Sequence, residues 1–209
     1  KYDSTVNYKY DPVALVNWEE CIVWCNAYSE KEGLTPCYTY EGEVIRNSAA
    51  PIDLNLIQCD WDADGYRLPT EAEWEAAASY IDGKEWTPGD YASGAHGDFK
   101  SESTYDFARG WGPNVGHSVG TRNPNQLGIY DMSGQVWEWC WDGYSAYTTS
   151  SPYTDNDPKV NLSSNAERVI RGGIDDYNKC YYQTAFRGYN YCSDISWEIG
   201  FRVVRRAKK

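Results

Sequence analysis

Seven cysteines, two histidines and a set of evenly spaced aspartates are the residues whose types could do chemistry in this chain of 209 residues. Cys21, Cys25, Cys37, Cys59, Cys140, Cys180 and Cys192 include no CxxC pair, and with only His96 and His117 to add they match no zinc-site spacing. Cys21 and Cys25 stand one helical turn apart, where side-by-side packing is expected. Cys37 and Cys59 could face each other across paired strands. His96 and His117 lie in a loop-rich region and read as surface residues, since two isolated ligands do not complete a metal site. Asp60, Asp62, Asp64, Gly65 and Glu71 fit the calcium-loop spacing of an EF-hand letter for letter. The context disagrees: a strand precedes them, Pro69 falls inside the loop, and Arg67 occupies a position that should be apolar. The expected structure is a turn joining a strand to a helix. No nucleophile constellation stands out.

The elements that would position such groups follow from periodicity and punctuation. Residues 13–32 carry Leu15, Trp18, Ile22, Cys25 and Tyr28 at helical spacing, with Gly33 as the stop. CYTYEGEV and DLNLIQCDW read as strands. Thr70 and Glu73 form a capping box behind Pro69 and open a second helix over 70–79. From Asp82 to Asn125 the chain is rich in Gly, Ser, Asp and Pro, and is expected to wrap over a core held elsewhere. LGIYDMSGQVWEWCWDGY, ERVIRGG and EIGFRVVRR supply late strands. Early helices, late strands, many loops and no internal repeat predict one α+β domain over 1–209.

Composition excludes several partners. The net charge of −12 argues against nucleic acid and against an anionic membrane surface. The C-terminal RRAKK reads as a solvated tail. No apolar run is long enough to span a bilayer, and the start lacks an apolar signal core. That leaves an intracellular protein, or a mature or trimmed chain, as the alternatives. Ten Trp and 19 Tyr against four Phe favour rings that carry a polar handle.

The stretch RGGIDDYNKCYYQTAFRGYNYCSDISWEIGFRVV, residues 171–204, has framework-like ends and an irregular middle. From Ile174 to Ser196 it holds five Tyr, three Asp, two Asn and two Cys with no clear period. Tyr offers stiff amphipathic contact area, and Asp, Asn, Ser and Gly offer adaptable polar contacts, which is the mixture of antibody paratopes. A segment held at both ends is preorganised for binding. Adjacent Asp175 and Asp176 would be hard to bury unpaired. The contact residues expected from this stretch are Ile174, Asp175, Asp176, Tyr177, Tyr181, Tyr189, Tyr191, Cys192, Asp194 and Trp197. Trp137, Trp139 and Phe201 are expected in the core.

GYRLPTEAEWEAAA, LGIYDMSGQVWEW, RVIRGG and IGFRVV, in that order, resemble the sulfatase-modifying-factor family, which includes the formylglycine-generating enzyme. The resemblance covers most of the chain. It implies a C-type-lectin-like fold with two helices, an irregular antiparallel sheet and high loop content. In the enzyme two cysteines between the paired glycines and the last strand bind copper. The corresponding places here are Tyr177 and Tyr182, and tyrosine cannot supply the thiolate a copper(I) site needs. No cofactor for catalysis is therefore expected. The related sulfoxide synthases use a histidine-rich site on a further domain absent from this chain. The family also implies a structural calcium, whose ligands would fall at Asp131, Gly134, Val136 and Glu138; the alternative is a tight turn with carboxylates solvated or paired with arginine.

Within the family the chain resembles the variable proteins of diversity-generating retroelements, of treponemal surface type, in which a segment before the last strand is rewritten at adenines. Randomised Asn codons cannot yield Met, Trp, Lys, Gln or Glu, and between Ile174 and Ser196 only Lys179 and Gln183 belong to that set. Trp197 is one adenine change from an arginine codon. The resemblance implies a non-enzymatic receptor or adhesin with a variable segment at about 174–197. It would be lipid-anchored at the bacterial outer membrane through an anchor outside this chain, and would bind a protein or glycan. The alternatives are a copper-dependent oxidase with displaced cysteines and a fixed adhesin of the same fold.

Overall fold

The run Trp137-Glu138-Trp139-Cys140-Trp141-Asp142-Gly143 is a strand buried along nearly its whole length. Its period of two sorts it between two helices. Trp139 and Trp141 join the core formed with the first helix, whereas Cys140 packs with Trp74 of the second. Glu138 and Asp142 point the same way as Cys140: the first accepts the Trp74 indole N–H at 2.7 Å and the second accepts the Glu71 backbone N–H at 2.6 Å. A sheet with a helix on each side follows.

The computed structural model describes residues 8–48, 53–109, 118–145, 167–174 and 179–207. In chain order these contain α1 (Trp18–Lys31), β1 (Tyr38–Tyr40), β2 (Glu43–Val44), β3 (Ile57–Cys59), β4 (Tyr66–Arg67), α2 (Glu71–Ser79), a single turn α3 (Thr104–Phe107), β5 (Trp137–Gly143), β6 (Glu167–Arg171), β7 (Arg187–Tyr191), β8 (Ile199–Gly200) and β9 (Val204–Arg205). The main sheet has the order β7-β6-β5-β8; β2-β1-β3 and β4-β9 form smaller sheets. The expected α+β, loop-rich fold is observed. Two details differ from the expectation. A third, short helix interrupts the 82–125 loop, and β5 pairs with β8 in parallel, so the sheet is mixed rather than antiparallel.

Helix α2 begins where the sequence reading places it, but α1 starts at Trp18 rather than within the 13–17 stretch, so Leu15 lies in the loop before the helix and not on its apolar stripe. Asn17 caps α1 and exchanges hydrogen bonds with Glu20, and Thr70 does the same with Glu73 on α2. Helix α1 starts at Trp18 because the preceding residues are drawn off along the sheet. Gly200 lies so close to Val13 that a Cβ there would stand 2.0 Å from the Val13 carbonyl oxygen. Mid-helix Asn26 is buried and bridges α1 to the small sheet: it donates to the carbonyls of Tyr38 (2.8 Å) and Ile45 (2.9 Å) and accepts from the Tyr38 N–H (3.0 Å). Tyr38 then stacks on Trp141 at 5.2 Å.

The aspartate-rich turn follows the strand-turn-helix reading. Asp60 accepts the N–H of Asp62, Asp64 accepts that of Thr35, and Glu71 opens α2. Glu71 is buried at 1% exposure and paired with two arginines. Arg187 grips it through two hydrogen bonds of 2.7 and 2.6 Å, and the Arg171 Nε stands 3.7 Å away. Position in the first turn of α2 adds the favourable field of the helix N-terminus.

No disulfide forms among the described residues. Tyr38, not Cys37, stands opposite Cys59 in the β1–β3 register, so Cys37 and Cys59 are not a cross-strand pair. Burial pushes the Cys37 thiol up to about 11 and the Cys21, Cys25 and Cys59 thiols higher still.

Replacing Glu71 by Ala leaves buried guanidinium charge uncompensated. The expected cost is about 3–5 kcal/mol, read as a lower urea midpoint in far-UV circular dichroism. A shift no larger than that of a surface substitution would show that the arginines do not depend on this carboxylate.

Candidate functional site

The segment after β6 leaves the sheet through Gly172 and Gly173, whose φ angles are +95° and +77°. A Cβ on Gly173 would stand 2.2 Å from the Tyr181 carbonyl oxygen, so only glycine lets the returning chain pass this close. The segment then runs through a 3₁₀ turn, Lys179–Tyr182, into β7 and back to β8.

Its main chain is captured by the framework. Ser133 Oγ donates to the Tyr182 carbonyl at 2.8 Å, and the buried Arg171 guanidinium donates to those of Thr184 (2.9 Å) and Phe186 (2.6 Å). The N–H groups of Thr184 and Ala185 donate to Tyr91 and Gly89. At the far end the Trp18 N–H donates to the Cys192 carbonyl, Leu15 to Ser196 and Trp137 to Glu198, at 3.0, 3.0 and 2.8 Å. None of these bonds uses a side chain from the contact set predicted in the sequence.

What the segment presents is decided by strand parity. In the β6–β7 register Val169 stands opposite Tyr189 and Glu167 opposite Tyr191, while Arg168 stands opposite Asn190. Tyr189 and Tyr191 are 50% and 52% exposed, and in the loop beyond them Ile195 and Trp197 are 56% and 67% exposed. Tyr189 leans on Tyr144 at 4.4 Å, beneath the Arg187 guanidinium. An aromatic row on a pinned backbone is the geometry of a contact surface.

Of the residues expected to make contacts, Tyr189 and Tyr191 are exposed on β7 and Trp197 is exposed ahead of β8, which lies at the opposite edge of the sheet, with Asp194 half-buried in the turn after β7. Ile174 is half-buried. Tyr181 is half-buried against Trp137 and Phe186, at 5.8 and 5.0 Å. Asp175, Asp176 and Tyr177 lie outside the described residues. Cys192 is a correction: it is buried in the α1 core, because it falls on the opposite parity to Tyr191 and its carbonyl is tied to Trp18. Burial raises its thiol despite the lowering effect of nearby Arg168. Arg168 is itself fully buried over the Trp18 ring at 4.2 Å, and burial pulls it down to about 10. Two exposed residues had no signal in composition: Ile195, and Leu15 on the loop before α1, 61% exposed.

Of the two places where the resemblance puts the enzyme's copper-binding cysteines, Tyr177 lies outside the described residues and Tyr182 is buried at 1% exposure among Ala92, Ala95 and Ala108. Cys180 sits before β7 and Cys192 after it, with the strand between them. His96 is exposed, edge-on to Phe107, and His117 lies outside the described residues. Trp139 is in the core, and Trp137 and Phe201 pack against it half-buried.

Of the four positions of the implied calcium site, Asp131, Gly134 and Val136 lie on the turn before β5 and Glu138 lies in β5 itself. Asp131 accepts the Gly120 N–H at 2.6 Å through Oδ2, and its Oδ1 is buried with no hydrogen-bond partner among the described residues. Glu138 is committed elsewhere. Arg202 bonds both its oxygens, the Trp74 indole shares Oε2, and the same guanidinium donates to the Asp131 carbonyl at 3.2 Å. Gly134 turns at φ +81°, with its N–H on the Gly172 carbonyl. Calcium asks for six to eight oxygens, and here both Glu138 oxygens are taken by Arg202 and one Asp131 oxygen by the Gly120 N–H. The residues as arranged do not fit the ion; a guanidinium neutralises Glu138 instead.

The family model of the sulfatase-modifying factor enzyme 1-like domain matches residues 2–207. The chain belongs to this family. Among similar members of known structure, Treponema denticola variable protein 1 aligns with a TM-score of 0.78 at 30% identity, over 99% of this chain and 75% of that one. "Chaperone protein LppX" of Paenibacillus barcinonensis is 36% identical over 93% of this chain and 69% of its own length. The formylglycine-generating enzyme of Thermomonospora curvata is 37% identical over 67% of this chain and 49% of its own length, so the chain spans about half of that relative. The family thus includes both enzymes and a variable protein among its relatives here. No helix of the described residues is long and apolar enough to cross a membrane.

Two outcomes test the site. Tyr189→Ala, Tyr191→Ala and Trp197→Ala should each change unfolding free energy by no more than about 0.5 kcal/mol, while Cys192→Tyr overfills the α1 core and costs about 1–3 kcal/mol, both read from urea melts. Adding calcium after EDTA should shift the melting temperature by less than about 1 °C; a rise of several degrees would mean that Glu138 exchanges Arg202 for the ion.

Proposed function

We propose that this chain is a non-enzymatic ligand-binding protein of receptor or adhesin type, whose segment from Ile174 to Trp197 is diversified by a retroelement. The observation that carries the reading is the pairing of exposed Tyr189, Tyr191, Ile195 and Trp197 with a backbone held by framework hydrogen bonds. Main-chain carbonyls are the same in every amino acid, so substitution of the outward side chains leaves these bonds in place. Large rings on a fixed backbone bind without a large ordering cost. The likeness to a treponemal variable protein supports the same reading. It also supports display on a bacterial outer membrane through a lipid anchor.

The second reading is a copper-dependent oxidase, favoured by the similarity to formylglycine-generating enzymes. It requires two thiolates converging where Tyr182 stands. Against it, burial disfavours ionisation of Cys192, and β7 separates that residue from Cys180.

The decisive experiment is on the DNA. Sequencing beside the gene should find a near-identical repeat of the segment that differs only opposite adenines. Its absence would leave a fixed adhesin of the same fold. In parallel, the purified chain should neither retain copper(I) through dialysis nor oxidise a cysteine-containing peptide; doing both would establish the enzyme.

A further inference from the structure

We infer that the loop before α1 supplies a constant half of the binding face, centred on Leu15, and that the face fits a protein partner whose aliphatic side chains are ringed by lysine and arginine. This rests on the ligand-binding reading above. Leu15 has φ +59°. That left-handed region disfavours any residue with a Cβ, and leucine has neither the freedom of glycine nor the local hydrogen bond that reconciles asparagine to it. Its side chain is 61% exposed, so core packing does not offset the strain. A strained residue that stays exposed marks a site where the side chain serves something outside the fold.

Its position says what that is. The Leu15 N–H donates to the Ser196 carbonyl at 3.0 Å, which sets Leu15 beside the loop that carries Ile195 and Trp197. Val13, 57% exposed, extends the apolar edge along β8. The same Val13 lines a cleft of about 400 Å³ with Trp24, Tyr130, Phe201 and Asp11, in which Arg202 is already neutralised by Glu138 and the Asp131 carboxylate is bonded to Gly120. Aliphatic groups offer a sugar no hydrogen bonds, so this half of the face suits apolar protein side chains. Aromatic walls with the Asp11 carboxylate suit a lysine or arginine head group. The net charge of −12 draws a basic partner and repels a second copy of this chain.

The test uses the purified chain and three synthetic amphipathic helical peptides, built from Leu and Lys, Leu and Glu, or Ser and Lys, with affinities from fluorescence anisotropy. The Leu/Lys peptide should bind tightest. Leu15→Gly should raise the melting temperature, because strain is relieved, and weaken that peptide by about five-fold or more. Leu15→Asn, which keeps the turn, should weaken it similarly. A lower melting temperature with unchanged affinity in both variants would make Leu15 a structural turn residue and overturn the inference. Weakening by Trp197→Ala but not by either Leu15 variant would leave the variable face standing and remove its constant half. Binding to a glycan array with none to the peptides would keep a binding face and reject the protein partner. If neither Trp197→Ala nor the Leu15 variants alter binding of any probe, the ligand-binding reading of the face fails as well.

Discussion

The buried guanidinium of Arg171 is the interaction on which the rest of the structure depends. It is fully buried and reaches two parts of the chain at once: Glu71 and Glu75 on α2, and the carbonyls of Thr184 and Phe186 at the entry to β7. A buried cation is costly unless its charge and donors are met. Glu75 and Glu71 together meet the charge, and Glu71 is held in turn by Arg187, the first residue of β7. The start of the second helix, the central strand pair and the path of the late segment are therefore fixed by one charge cluster. Moving any member leaves a buried charge unmatched.

That cluster lets an irregular segment sit on an ordered scaffold. Binding surfaces that vary in sequence face a conflict, because side chains that contact a ligand often also hold their own loop. Here the two tasks are divided. Arg171, Ser133, Trp18, Leu15 and Trp137 take carbonyls from the segment, and side chains such as Tyr189, Tyr191 and Trp197 point away. The division fails at Cys192, which faces the α1 core beside buried Arg168. At that position side-chain identity bears on packing as well as on any contact.

Local chemistry made much of this legible beforehand. The capping box at Thr70, the glycine stop after α1 and the Trp-rich strand are signals over a few residues, and each appears where expected, whereas α1 starts after the Asn17 cap, later than its periodicity predicts. The discounted calcium loop was also legible, since a strand before it and Pro69 within it conflict with an EF-hand. The interior of the late segment was not. Strand β7 is five residues of Arg, Gly, Tyr and Asn whose polar and aromatic residues show no apolar alternation, so nothing local revealed which side each residue takes. The strained φ of Leu15 and the engagement of Glu138 by Arg202, 64 residues away in sequence, leave no local trace either.

The amino-acid order alone determined the two long helices, the family motifs and the paratope-like composition of the late stretch, because each depends on neighbours within a turn or strand. Tertiary structure alone decided that Tyr189 and Tyr191 are exposed while Cys192 is buried, that Leu15 stands exposed beside the loop carrying Ile195 and Trp197, and that an arginine engages Glu138. Those outcomes depend on sheet register and on pairs distant in the chain. A one-residue change of register exchanges the two faces of a strand, and only the packed sheet sets that register.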